Sequence, residues 1–327
     1  MKKKINKNTV LRIIQAIFGA AAVFFIVWYF IKNKDDFAKI QGLDPVIFVV
    51  SALLFMIYTV LLASLWHYLT VINGCSVKYE KAVTSYLLSI PGKYIPGKVF
   101  MLAARLTYYK EDNAPLSKVT VCFFLENICT LLGAAMLFIV SLLFFPNDLL
   151  ENYRWAVIGL IVVFFVCIHP AVINFALGLL GKLFKKDLKI PMKYPQMLKA
   201  VLLFICNCLV AGAGFFMLAR SVYPDIGAEH LLYCAGVWGI STIMGILAIF
   251  APSGIGVKEG IIVWGLSLIM PAEYAVLISV AARLWQTVCE IILVAGAFVY
   301  SRIRKLNAIS YRRAAEESRN DEENNDE

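Results

Sequence analysis

PVIFVVSALLFMIYTVLLASLWHYLTVI, residues 45–72, contains no Asp, Glu, Lys or Arg, and its reading decides the fold class. A helix needs about 20 mainly apolar residues to cross roughly 30 Å of hydrocarbon, and this run exceeds that. The rest of the chain agrees. Hydrophobic residues make up 61% and charged residues only 16%, and the mean hydropathy is +0.76. A water-soluble chain of this size carries about 25% charged residues, so there is too little charge to cover a water-facing surface. The alternation of a β-barrel is absent, which leaves helices as the spanning solution. The sequence therefore predicts an all-α, polytopic helical membrane protein.

Working outward from residues 45–72, further apolar runs fall at about 10–31, 119–145, 155–180, 200–219, 231–250 and 275–300. The first follows Lys2, Lys3, Lys4 and Lys7 as a signal sequence would. It continues through Phe24 to Phe30, too long for a cleaved segment, and reads as an uncleaved span. Two stretches break the pattern. In the first, Pro91-Gly92-Lys93-Tyr94-Ile95-Pro96-Gly97-Lys98 divides an apolar region at about 82–107 into two short pieces. In the second, Ala251-Pro252-Ser253-Gly254-Ile255-Gly256-Val257-Lys258-Glu259-Gly260 opens a short piece that ends at Met270-Pro271. Broken backbone is tolerated at membrane depth where it is buried in protein or lines a wet cavity. One or two re-entrant or broken helices are therefore expected among about eight spans. Whether residues 251–270 span or are re-entrant stays open. The acidic stretch 306–327 has no apolar run and reads as a disordered tail after a membrane domain of residues 1–305.

The net charge of +9 does not indicate nucleic acid, because the basic residues gather in loops. They are dense before the first span, between the second and third, and between the fourth and fifth, and sparse in the alternate loops. The positive-inside rule then places both termini in the cytoplasm. The eight cysteines lie mostly in apolar runs without metal-ligand spacing and read as packing residues. The three histidines are far apart in sequence. No nucleophile elbow, Walker loop or metal motif is visible, so no enzyme activity, cofactor or metal is expected.

Ionisable residues inside apolar runs carry the functional signal, because each costs a few kcal/mol there without a partner. They are Arg105, Glu126, Lys258, Glu259, Arg283 and Glu290. Arg283, Gln286 and Glu290 are three and four apart, one stripe on a helix. A stripe of this kind faces the bundle interior, either as an Arg–Glu ladder that fixes packing or as one wall of a polar groove. Glu126 shares a face with Thr130 and is placed to pair with Arg105 or Arg283. At both breaks, glycines (Gly92, Gly97; Gly254, Gly256) adjoin lysines (Lys93, Lys98; Lys258) before a short helix. Free backbone N–H groups at such a turn suit phosphate. The alternative is that the lysines snorkel to the interface and Glu259 complements the helix start. Each break is followed by a charged residue within the membrane, Glu126 and Arg283, a weak echo of the paired broken helices of transporters.

Pro96-Gly97-Lys98 running on to Arg105, Glu126, the stretch Pro252-x-Gly254-x-Gly256-Val257-x-Glu259, and Arg283 together resemble the lysylphosphatidylglycerol synthase transmembrane-region family. The resemblance extends over about residues 10–300. It implies the flippase-like half of aminoacyl-phosphatidylglycerol synthases, with stand-alone members acting as lipid flippases or transporters and some relatives joined to glycosyltransferases. Two positions depart from it. Lys98 stands where the family often has Glu, and Glu126-Asn127 with Thr130 replaces a Glu-Arg then Asp pattern. These changes favour a differently charged cargo. Little more than a short tail follows Tyr300, so synthesis of lysylphosphatidylglycerol by this chain is not expected. The leading expectation is a flippase-like transporter of an anionic or lipid-linked, phosphate-bearing headgroup across the cytoplasmic membrane. Lys93, Lys98 and the Gly254–Gly256 turn would hold the phosphate, Arg105, Glu126, Arg283 and Glu290 would line the groove with Glu126 or Glu290 as a proton carrier, and Gly97, Lys258, Glu259 and Gln286 complete the headgroup-binding candidates. The ligand would be a membrane phospholipid or lipid-linked intermediate, with a separate synthase or glycosyltransferase as a further partner. The alternative is a non-transporting scaffold of such an enzyme.

Overall fold

The computed structural model describes residues 43–94, 99–143, 154–184, 192–248 and 252–304. These residues are helical, with no strand among them. The uncharged apolar run of residues 45–72 is helix α1, Pro45–Ile72. Its start is set locally. The Asp44 carboxylate accepts from the backbone N–H groups of Val46 (2.9 Å) and Ile47 (3.1 Å), and Pro45 occupies a first-turn position where its missing N–H costs nothing. The first break follows as α2, Tyr79–Ser89, a 3-10 turn, Ile90–Tyr94, and α3, Val99–Glu111. Neither α2 nor α3 is long enough to cross, and they pack on each other as a hairpin. Lys81 ties the hairpin, reaching Asp112 at 2.9 Å and Glu111 at 3.1 Å.

Helix α4 spans Leu116–Leu142. The run expected as one span at 155–180 is two helices, α5 at Arg154–Cys167 and α6 at Pro170–Phe184. They bend by 66° where Pro170 has no N–H to continue the ladder. Helix α7 follows at Tyr194–Val222, then a 3-10 turn, Ala228–His230, and α8, Leu231–Leu247. The second break contains a 3-10 turn, Pro252–Gly254, and α9, Val257–Leu266. The last helix, α10, is Ala272–Ile303.

Five described helices are long and apolar enough to cross a membrane (α1, α4, α7, α8 with its leading turn, and α10), or six if the bent pair counts as one. The expected span at 10–31 and the acidic tail at 306–327 lie outside the described residues. The piece after the second break is only 10 residues long, about 15 Å of helix, so it does not cross alone.

Close helix contact comes from small residues. A Cβ on Gly212 of α7 would lie 2.4 Å from that of Ala235 on α8, and one on Gly239 of α8 would lie 2.8 Å from the Ala134 carbonyl of α4. Between lipid-bathed helices, such backbone proximity supplies the packing that water would otherwise drive. Outward apolar side chains such as Val46, Leu53 and Ile57 of α1 are left exposed, as lipid contact requires. The interior of one half is aromatic. Phe55 meets Trp285 at 4.5 Å, Phe215 meets Trp238 at 5.1 Å, and Trp238 meets Trp285 at 6.0 Å between ring centroids. Against this aromatic wall the second break folds back.

Candidate functional site

The two breaks come together. The turns at Ile90–Tyr94 and Pro252–Gly254 pack on each other, and α10 runs alongside α2 and α9. At the first turn, Gly92 is required by proximity: a Cβ there would lie 2.6 Å from the Met101 backbone nitrogen of α3. At the second, Ser253 (φ +53°), Gly254 (φ +69°) and Gly256 (φ +84°) take left-handed backbone conformations, a geometry that glycine accepts without strain. Gly254 also approaches α8 closely, with its would-be Cβ 2.7 Å from Gly245 Cα. This pairing of helix, turn and short helix occurs twice, as α2–α3 and as α8–α9.

The stripe on α10 faces inward, as the spacing required. Arg283 and Glu290 are buried and Gln286 is partly so. It is not a ladder closed within its own helix. Glu290 forms an ion pair with Lys93 of the first turn, and it accepts from Gln286 Nε2 at 2.9 Å. Gln286 in turn accepts from Lys258 Nζ of α9 at 3.1 Å. Arg283 Nη1 donates to the Ser253 carbonyl at 3.3 Å, and its Nε lies 3.5 Å from Glu259 Oε1. Charged residues from both breaks thus meet on one face of the last helix.

Glu259 also corrects one expectation. The backbone N–H of Gly256 is not open to a ligand in this conformation, because Glu259 Oε2 accepts from it at 2.6 Å. The carboxylate occupies the position of an anion at the helix start. Lys258 does not snorkel to the surface either. Its ammonium lies 3.6 Å from the centroid of the Trp238 ring. Trp238, Lys258, Glu259, Arg283 and Gln286 enclose a crevice too narrow to admit a water molecule, so this is a closed arrangement.

Arg105 and Glu126 form a second, separate group. Arg105 is fully buried and pairs with Glu126, while its Nε donates to Ser89 Oγ at 3.0 Å. The guanidinium is stacked against Tyr86 at 4.1 Å and Trp66 at 4.4 Å. Thr130, expected to share the face of Glu126, spends its hydroxyl on the Glu126 carbonyl at 2.8 Å. Gly97 and Lys98 lie outside the described residues.

Residues 13–296 match the family model described as the lysylphosphatidylglycerol synthase TM region. The chain belongs to this family. The match includes both breaks and every site residue named from the sequence. It also makes the chain a multi-pass membrane protein of that family, as the long apolar helices require. Neither the curated proteins nor the solved structures compared with this chain include a match.

In this member of the lysylphosphatidylglycerol synthase TM-region family, sequence reasoning missed several residues that shape the two groups. Trp238, Trp66, Tyr86 and Phe123 surround the cations, with Phe123 5.3 Å from the Arg105 guanidinium. An aromatic in an apolar run carries no signal of its own, because its partner is supplied by a different helix. Ser279 donates to the Glu259 carbonyl at 3.2 Å. Its position, four residues before Arg283, placed it on the stripe and was the one readable clue.

Proposed function

We propose that this protein is a flippase-like transporter. It moves an anionic or lipid-linked, phosphate-bearing headgroup across the cytoplasmic membrane through a polar groove within the bundle. One observation carries the reading. Lys93, Lys258, Glu259, Arg283 and Glu290 are drawn from two broken elements and the last span to a single face in an otherwise apolar interior. Charges at membrane depth are costly and mark substrate paths, and broken helices paired in this way frame transporter sites. Membership of the family is consistent with the same role.

The network is also suited to opening. Most of its links join separate elements, so parting α9 from α10 exposes Lys258 and Arg283 together. We assign Lys93, Lys98, Lys258 and the Gly254–Gly256 turn to the phosphate, and Arg283, Gln286 and Glu290 to the groove wall. From the distribution of Lys and Arg, we place both termini on the cytoplasmic side. Reconstitution into liposomes with fluorescent anionic phospholipids tests the reading. The expected result is headgroup translocation that is lost in Lys93→Ala and Arg283→Ala. No translocation by the wild-type chain, together with stable capture of an envelope-lipid synthase or glycosyltransferase, would replace the transporter with a scaffold.

A further inference from the structure

Arg283 is only 5% exposed, yet among the described residues just one of its nitrogens, Nη1, has a hydrogen-bond acceptor. Nε and Nη2 are buried and have none. These two N–H groups lie on the same edge of the planar guanidinium. Together they form the side-on fork that takes two oxygens of one carboxylate or phosphate. Glu259 stands in front of this edge without filling it. Its Oε1 is 3.5 Å from Nε, too long for a good hydrogen bond, and its Oε2 is held by the Gly256 N–H.

Lys258 lines the same crevice. Its ammonium contacts the Trp238 ring and the Gln286 carbonyl oxygen, neither of which carries a charge. Lys93, in contrast, is closed on Glu290. The cluster of Lys93, Lys258, Arg283, Glu259 and Glu290 therefore holds three basic groups against two acidic ones, and the unmatched basic group, Lys258, sits beside the open edge of Arg283. A buried basic group without an acidic partner is stabilised in its charged form by an entering anion.

We propose that the open edge of Arg283, with Lys258 beside it, seats the two non-bridging oxygens of a singly charged phosphodiester, and that Glu259 holds this seat closed until the ligand enters. The source of the ligand, a lipid headgroup, rests on the function proposed above. The chemistry is that of any phosphodiester monoanion: two equivalent oxygens for the fork and one charge for the unmatched basic group. A phosphomonoester or diphosphate brings negative charge that the cluster does not match. A zwitterionic headgroup presents the same oxygens but adds an ammonium to a site already rich in cations.

The test uses the full chain purified in detergent, titrated with phosphatidylglycerol, phosphatidylcholine, phosphatidic acid and diacylglycerol, with native mass spectrometry as the readout. Phosphatidylglycerol is expected to bind best. Arg283→Lys keeps the charge and loses the fork, and is expected to weaken it by about tenfold or more, about 1.4 kcal/mol. Glu259→Gln removes the competing carboxylate charge and is expected to tighten it, which provides a second reading if Arg283→Lys does not fold. Equal affinity of Arg283→Lys and wild type overturns the seat, as does diacylglycerol binding as tightly as phosphatidylglycerol. If glycerophosphoglycerol, the headgroup without chains, binds as tightly as the lipid and Arg283→Lys weakens it, the seat stands and the lipid-transport reading falls. Lipid translocation unchanged in a folded Arg283→Lys variant overturns the seat and leaves the transporter reading in place.

Discussion

Lys93 and Glu290, 197 positions apart in the chain, form an ion pair that joins the first break to the last helix. The pair is largely buried, with Glu290 also receiving Gln286. Removing one member leaves the other charge without its counter-ion. Lys93→Ala is therefore expected to cost about 3 kcal/mol of stability. Lys93→Met combined with Glu290→Gln removes both charges and should recover most of that loss, while translocation stays abolished. Thermal unfolding in detergent, paired with the liposome assay, separates the two effects. A double variant no more stable than Lys93→Ala would show that the loss does not come from an unpaired carboxylate at Glu290.

Arg105 and Glu126 are expected to behave differently, as a structural tie. Arg105 has no exposed surface, and its planar group meets Ser89, Glu126, Tyr86 and Trp66 at once, with Nη2 left without an acceptor among the described residues. Lysine keeps the charge but neither the Nε donor nor the stacking plane. Arg105→Lys should destabilise by about 2 kcal/mol with translocation per folded molecule retained. A variant of unchanged stability that no longer translocates would move Arg105 into the groove.

How much of this could be read from the sequence depends on the range of each interaction. The α10 stripe was legible because Arg283, Gln286 and Glu290 belong to one helix and obey its period. Helix α1 was legible as the uncharged run of residues 45–72, although the Asp44 cap that sets its start was not read from it. The partners of the stripe were not legible. Nothing local to Lys93 points to Glu290, and nothing local to Trp238 points to Lys258. The bend between α5 and α6 falls at Pro170, inside a run whose average apolarity reads as one span and is blind to direction. The role of Glu259 as a cap lay in a three-residue spacing from Gly256, weighed beforehand only as an alternative to an open anion site.

Gly254 provides a test of the second break. Alanine there would have to adopt φ +69° and place its Cβ 2.7 Å from Gly245 Cα. Both the backbone conformation and the packing of α8 against α9 oppose it. Gly254→Ala is expected to cost at least about 2 kcal/mol and to abolish translocation. Gly260, on α9 with nothing within 4 Å of a would-be Cβ, is the control. Gly260→Ala should be neutral or stabilising by about 0.5–1 kcal/mol. Similar thermal midpoints for the two variants would show that the break is not held by close contact.

Trp238 is expected to hold Lys258 through the face of its ring. The ammonium lies 3.6 Å from the ring centroid, and such a contact is worth about 0.5–2 kcal/mol when partly desolvated. Trp238→Leu alone cannot measure it, because the indole also packs on Phe215 and Trp285 and its loss disturbs that aromatic wall. A double-mutant cycle removes the common packing cost. Trp238→Leu, Lys258→Met and the double variant, compared by thermal unfolding in detergent, should give a favourable coupling of about 1 kcal/mol. If the two losses simply add, Lys258 is positioned by Gln286 alone, and the aromatic ring has no part in holding the cation beside Arg283.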